Sequence, residues 1–140
     1  MDELPHWERG TPTVLCAAGP HPIPVSTAVR ADARRVLLAL GRKREVLRRL
    51  RDDPSAALLV LGEGVAFTAH GRARVVAERM ETADSIVALE LQVERVQDHL
   101  ADGRSVMLDG ARWRWATEEM ARADEATFAE LDRLASAASA

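Results

Sequence analysis

Residues 35–62 have the sequence RVLLALGRKREVLRRLRDDPSAALLVLG, in which two apolar runs enclose a basic segment. The runs 35–40 and 56–61 are short and almost continuously apolar, which is typical of strands covered on both faces. Apolar residues between the runs repeat at helical spacing, namely Val46, Leu47 and Leu50. The helix should end before Pro54, because the residue that precedes a proline disfavours helical geometry. This stretch therefore predicts a strand, a short helix and a second strand.

The sequence before this stretch predicts two further strands. Residues 13–17 form a short apolar run, and residues 23–30 alternate with a period of two. Such alternation is typical of a strand with one face in a core. The face expected in the core consists of Ile23, Val25, Thr27 and Val29. Pro24 cannot donate a ladder hydrogen bond, so it should lie at an edge or at a strand start.

The sequence after this stretch predicts an antiparallel pair followed by two short strands. Residues 65–75 and 86–94 both alternate, and the tight turn at 62–64 leads into the first of them. Residues 106–108 and 113–115 are apolar or aromatic, and they predict two short strands that close the sheet.

A second helix is predicted at the C-terminal end. Thr117 has the character of an N-cap, and Glu118 and Glu119 suit the positive end of a helix dipole. The expected apolar stripe consists of Met120, Phe128, Leu131 and Leu134. Six or seven antiparallel strands on so short a chain can protect their edges by closing into a barrel, whose ends the helices would cover. The predicted fold class is mainly β, an antiparallel β-barrel with helices.

Composition limits the function classes that remain. A chain of 140 residues fits one domain, and no apolar run approaches the roughly 20 residues that a membrane span requires. Cys16 is the only cysteine, so an internal disulfide is impossible, and no Cys/His cluster suggests a metal site. These features predict a cytoplasmic protein. A net charge of −3 argues against general nucleic-acid binding.

One local charge feature stands out in this acidic chain. Six basic residues lie within ten positions: Arg42, Lys43, Arg44, Arg48, Arg49 and Arg51. Concentrated positive charge at a helix start can hold a phosphate, because unpaired backbone N–H groups and cationic side chains converge there. Gly41 would let the backbone approach the anion closely. The alternative is a solvated helix face whose cations pair with neighbouring carboxylates.

The chain resembles the pyridoxamine phosphate oxidase-like family of FMN-binding split barrels, in its flavin and deazaflavin oxidoreductase branch. In that family two strands precede a helix that carries basic residues at its start and ends in an Asn/Asp-Pro pair. The matching segments are 23–30, 38–44, 50–58, the glycine-centred 69–76 and the aromatic 113–115. The resemblance runs from about Trp7 to Trp115. It implies one split-barrel domain over 1–140, with a core of about 7–115 and a C-terminal helix of about 117–135.

The resemblance implies a homodimer that binds two cofactors in clefts between its subunits. FMN is the expected cofactor, F420 is the alternative, and haem is less expected. The residues implied to bind the cofactor are Ser26, Thr27, Leu40, Gly41, Arg42, Lys43, Arg44, His70, Trp113 and Trp115. No catalytic residue and no metal ligand is implied. Relatives carry a basic residue about eight positions before the proline, where this chain has Val46, so the helix is expected to begin one turn earlier.

Two functions follow as expectations. One is an oxidoreductase that transfers hydride or electrons between a bound FMN or F420 and a small molecule; the C-terminal motif for vitamin B6 oxidation is not evident. The other is a non-enzymatic barrel that binds haem, another tetrapyrrole or F420. A scaffold dimer without a cofactor is a third possibility.

Several of the implied residues also have ordinary structural interpretations. His70 is either a hydrogen-bonded structural residue or a residue near the flavin or on a haem axis. Trp113 and Trp115 either make core or dimer contacts or stack beside a flavin. Ser26 and Thr27 are either plain strand residues or hydroxyl donors to the cofactor.

Overall fold

The computed structural model describes residues 3–139 and contains seven strands and two helices in that range. In chain order these are β1 (Thr13–Ala17), β2 (His21–Val25), β3 (Val29–Asp32), β4 (Arg35–Gly41), α1 (Glu45–Asp52), β5 (Ser55–Gly62), β6 (Val65–Ala77), β7 (Ile86–Asp98) and α2 (Glu118–Ser139). The strand, the short helix and the second strand expected within residues 35–62 are confirmed. No helix in the described range is long and apolar enough to cross a membrane.

All seven strands belong to one antiparallel sheet with the order β2-β1-β5-β6-β7-β4-β3. The two edge strands, β2 and β3, are consecutive in the chain and are joined by residues 26–28 alone. So short a link forces the sheet to curl until its edges approach each other. The architecture is therefore a split β-barrel, which confirms the predicted fold class.

The link at 26–28 changes which face of the chain points into the barrel. Ile23 and Val25 belong to the interior cluster, but so does Ala28, whereas Val29 packs on the outside against α2. The single alternating strand expected over 23–30 is therefore wrong. The alternation breaks because Thr27 uses its hydroxyl to bond the peptide of Ala39, which leaves the link outside the regular ladder.

Helix α1 covers one end of the barrel. Its residues Val46, Leu47 and Leu50 are at most 4% exposed and join the interior cluster with strand residues such as Leu58 and Phe67. Full burial of a side chain of this size contributes roughly 1.5–3 kcal/mol. The three apolar residues predicted for this helix are confirmed as its buried face.

Helix α2 was expected to cover an end of the barrel, but it packs on the side. Phe128, Leu131 and Ala135 are buried in a second cluster with Leu37 and Ala88 of the outer sheet face. In the expected stripe Leu134 is only partly buried and Met120 is 50% exposed. The predicted N-cap is confirmed, since the N–H of Met120 donates to Oγ1 of Thr117 at 3.2 Å.

The expected closing strands at 106–108 and 113–115 are wrong. Residues 99–116 contain no strand, and β7 instead continues to Asp98. Strands β5, β6 and β7 each already pair on both sides, so the sheet beside this segment has no free edge. One backbone hydrogen bond, from the N–H of Gly64 to the carbonyl of Met107 at 2.9 Å, fastens the segment to the β5–β6 turn.

Candidate anion and cofactor site

The three cations predicted to bind phosphate lie in the turn between β4 and α1. Arg42, Lys43 and Arg44 precede the helix, which begins at Glu45 with Arg44 in extended conformation as its N-cap residue. The expected helix start one turn earlier is wrong. The backbone N–H of Arg42 instead donates to the carbonyl of Ser85 at 2.7 Å, which holds the turn beside the start of β7.

A pocket of about 660 Å³ lies at this junction. Its lining consists of Gly41, Arg42, Lys43, Arg44, Asp84, Ser85 and Ile86. Strand pairing explains the meeting of these two segments, because Gly41 at the end of β4 is opposite Ile86 at the start of β7. Lys43 and Arg44 are exposed, and so is the opposing carboxylate of Asp84.

Arg42, which lines this pocket, has an unsatisfied donor. Its Nη2 donates to the carbonyl of Glu78 at 3.1 Å, whereas its Nε is buried and has no acceptor among the described residues. A buried donor left without an acceptor costs roughly 1–3 kcal/mol. An anionic oxygen that accepted a hydrogen bond from this Nε would remove that cost. Two cations of helix α1 differ from Arg42, because Arg48 and Arg49 both pair with the carboxylate of Glu45.

Glu78 fixes the loop on the far side of the pocket. Both of its carboxylate oxygens accept hydrogen bonds from Arg51, at 3.2 and 2.9 Å. These bonds, together with the charges of Arg51 and Arg42, hold the pKa of Glu78 below its usual range against the opposing effect of burial. Arg51 therefore stabilises the loop and is not part of the pocket lining.

Three of the remaining implied residues lie on β4 or on the link between β2 and β3, and the side chains of two of them, Leu40 and Thr27, are already engaged within the barrel. Leu40 is 3% exposed and its side chain belongs to the barrel interior. The single hydroxyl proton of Thr27 is already donated to the carbonyl of Ala39 at 2.9 Å. Ser26 is partly buried in the link between β2 and β3.

His70 lies elsewhere, on the outer face of β6. It lines a groove of about 430 Å³ together with Cys16, Ala57, Arg72 and Arg95, and its Nε2 is 3.3 Å from Oε1 of Gln97. His70 is opposite Arg95 on β7, nine residues from Ile86, which amounts to roughly 30 Å at ~3.3 Å per residue. Within one chain, His70 and the basic turn therefore lie toward opposite ends of β7.

The two tryptophans lie apart from both the basic turn and the His70 groove. The Nε1 of Trp113 donates to the carbonyl of Gly10 at 2.7 Å, and its ring meets that of Trp115 edge-on at 5.2 Å. Burial raises the pKa of Asp124, partly opposed by a hydrogen bond from Trp115. Trp113 lines a cavity of about 570 Å³ beside the β5–β6 turn. Through these contacts with Gly10 and Asp124, the tryptophans hold the segment 99–116 against the N-terminal loop and α2.

The structure thus brings together only part of the predicted site. It unites Gly41 with the three cations and adds Asp84 and Ser85, which sequence reasoning missed. These two residues were missed because their position beside the turn depends on the pairing of β4 with β7. The sequence predicts both strands but not that they are neighbours.

Solved structures of the same fold match about two thirds of the chain. A pyridoxamine 5′-phosphate oxidase-like protein from Lactobacillus delbrueckii is 15% identical with a TM-score of 0.55, over 69% of this chain and 94% of its own. An F420 reductase is 14% identical with a TM-score of 0.54, over 64% and 91%. HutZ, the haem storage protein of Vibrio cholerae, is 11% identical with a TM-score of 0.52, over 64% and 86%.

No protein-family model matches the chain, and no curated protein matches its sequence. Identities this low show a shared fold, and a fold by itself does not define a ligand or a reaction. That fold is the split barrel of pyridoxamine phosphate oxidase-like proteins, so the resemblance expected from the sequence is confirmed at the level of fold.

Proposed function

We propose that this chain binds the phosphate of a flavin, FMN or alternatively F420, in the pocket at the basic turn, and that it acts as an oxidoreductase. The observation that carries the proposal is the buried Nε of Arg42, which has no acceptor among the described residues and lies beside two exposed cations. A phosphate supplies several anionic oxygens, and charge-assisted hydrogen bonds to such oxygens are short and strong.

The chain's own residues would bind and orient the cofactor. Arg42 is held from both ends, by its backbone bond to Ser85 and its Nη2 bond to Glu78, so its guanidinium is already ordered before an anion arrives. Lys43 and Arg44 are exposed and can move onto the phosphate. A bound flavin would supply hydride or electron transfer, and the protein would supply orientation and exclusion of water.

A homodimer is part of this proposal. Helix α2 covers the outer face of β3, β4 and β7, whereas among the described residues the outward side chains of β2, β1 and β5 belong to neither buried cluster. That second face, called here the outer apolar face, presents Val14, Cys16, Pro24, Leu59 and Leu61. Strand pairing places Pro24, Val14 and Leu59 in one row. A second copy of the chain on this face would bury the row and could join one subunit's basic turn to the other's His70 groove.

The direct test is titration of the purified protein with FMN and with F420, followed by absorbance and fluorescence. Joint replacement of Arg42, Lys43 and Arg44 by alanine should weaken binding at least tenfold, since three charge-assisted contacts are lost. A matched control replaces three exposed arginines outside the pocket lining, Arg104, Arg114 and Arg122, and should bind like the wild type. An equal loss of affinity in both triple variants would show that the effect comes from net charge and not from the three residues of the pocket.

A second candidate function rests on the His70 groove. Ala57 contributes only a small side chain to the lining of this groove. His70 lies opposite Ala57 on the neighbouring strand. Such a groove suits a flat tetrapyrrole with a histidine ligand, as in a non-enzymatic haem-binding barrel. A Soret band on addition of haem that is lost in His70→Ala and kept in His99→Ala would favour this function. His99 is the control because it lies on the same face but bonds Thr68.

A further inference from the structure

A buried carboxylate of α2 holds the loop between β6 and β7, residues 78–85, called here the β6–β7 loop. Glu130 is only 4% exposed. Its two oxygens accept hydrogen bonds from the backbone N–H groups of Glu81 at 2.9 Å and of Thr82 at 2.8 Å. A buried carboxylate needs such donors because desolvation of an unpaired charge is expensive. The loop and α2 are therefore joined by two charge-assisted bonds.

The same loop forms the far wall of the phosphate pocket. Its residues Asp84 and Ser85 line the pocket, and its Glu78 carbonyl accepts the Nη2 hydrogen bond of Arg42. Met80 in the middle of the loop is 1% exposed and packs in the cluster beneath α2. One short loop thus contacts α2 on one side and the anion-binding guanidinium on the other.

We propose that Glu130 is a positioning residue for the phosphate pocket, because it fixes the β6–β7 loop and with it the carbonyl that orients Arg42. This inference rests on the proposed function. Without the carboxylate the loop would open locally more often, since locally held segments open independently of the whole fold. A pocket that is formed for only part of the time binds its ligand more weakly in proportion.

The variant that tests this is Glu130→Gln, which keeps the size of the side chain but replaces one acceptor oxygen by an amide nitrogen. We expect the Kd for FMN to rise roughly threefold to tenfold and amide exchange at Glu81 and Thr82 to become faster. Asp132→Asn is the matched control. It removes another carboxylate of α2, one that pairs with Arg9 at 2.8 Å, and should leave both measurements unchanged.

A purely structural role for Glu130 would give faster exchange at Glu81 and Thr82 with an unchanged Kd for FMN, and that outcome would overturn the inference. A second measurement needs no variant. Binding is reciprocal, so FMN at saturation should slow amide exchange at Glu81 and Thr82 in the wild type, although neither residue lines the pocket. Unchanged exchange would overturn the inference while FMN binding itself still supports the proposed function. A wild type that binds neither FMN nor F420 would overturn both.

Discussion

The hydroxyl of Thr27 exchanges two hydrogen bonds with the peptide of Ala39. Its Oγ1 donates to the Ala39 carbonyl at 2.9 Å and accepts from the Ala39 N–H at 3.1 Å. Backbone groups in such a position would otherwise need a strand partner. The side chain takes the place of that partner where the chain passes from β2 to β3, and this allows the barrel to be split there without orphaned peptide groups.

Replacement of Thr27 by valine keeps the shape of the side chain and removes both bonds. We expect the free energy of unfolding to fall by about 1–3 kcal/mol, because the Ala39 donor and acceptor are left in a partly buried place. Urea unfolding of the variant and of Ser26→Ala measures this. The serine variant should lie within about 0.5 kcal/mol of the wild type. Equal stability of all three proteins would contradict the role given to Thr27.

Glu90 should make the stability of the barrel depend on pH. This carboxylate is 1% exposed and accepts hydrogen bonds from Arg35 at 3.0 Å, Gln92 at 3.1 Å and Arg74 at 3.2 Å. Burial alone would raise the pKa of Glu90, but these bonds and the charge of Arg74 outweigh it and hold the pKa below its usual range. The charged form is therefore the one that the folded state favours.

A carboxyl with a lowered pKa in the folded state stabilises the fold above its unfolded pKa, which is about 4.3 for glutamate. That stabilisation is lost as the pH falls below this value and through the folded-state pKa. We expect Glu90→Gln to be less stable than the wild type by roughly 1–3 kcal/mol at neutral pH. Urea unfolding between pH 7 and pH 3 should show this difference shrinking on acidification. A difference that stays constant would contradict the assignment.

Asp84 should oppose anion binding in the proposed phosphate pocket. Its exposed carboxylate shares the lining with three cations, so Asp84→Asn should lower the Kd for FMN by roughly twofold. The effect should vanish at high salt, since exposed charges are screened. Asp102→Asn, an exposed carboxylate outside the pocket lining, is the control. Weaker FMN binding in Asp84→Asn would show that Asp84 supports the pocket.

The outer apolar face can be tested through Leu59. If a second copy covers this face, Leu59→Asp would bury a charge in the interface, and sedimentation should show a monomer where the wild type is a dimer. Leu108→Asp is the control, because Leu108 is 84% exposed in the segment 99–116. FMN affinity should fall together with dimerisation if the cofactor contacts both subunits. A wild type that sediments as a monomer would contradict the homodimer.

Local sequence signals predicted the elements that depend on neighbours in the chain. Helix α1 followed from the spacing of Val46, Leu47 and Leu50 and from Pro54, and each signal acts within one or two turns. The long strands β6 and β7 followed from alternation. In β6, Gly71 lies at a register shift where a Cβ atom would be 2.0 Å from the Gln92 carbonyl oxygen, which explains a glycine in the middle of a strand.

Features that depend on distant partners could not be predicted in the same way. The break at 26–28 depends on Ala39, twelve residues away from Thr27. The apolar run at 106–108 is strand-like, but the neighbouring strands already have partners on both sides. The pocket wall depends on Gly41 lying opposite Ile86, more than forty residues later in the chain. Periodicity identifies a strand and its faces, and it leaves the choice of neighbour open.

The link between β2 and β3 also has a consequence for how the chain folds. The two outermost strands are joined by three residues, so even in the unfolded chain they are at most roughly 14 Å apart. Bringing them together therefore costs little conformational entropy. The costly long-range search is then the pairing of β1 with β5, whose partners are 39 to 47 residues apart, and of β4 with β7, whose partners are 45 to 57 residues apart. We expect substitutions in those two ladders to slow refolding, and substitutions in the link mainly to speed unfolding.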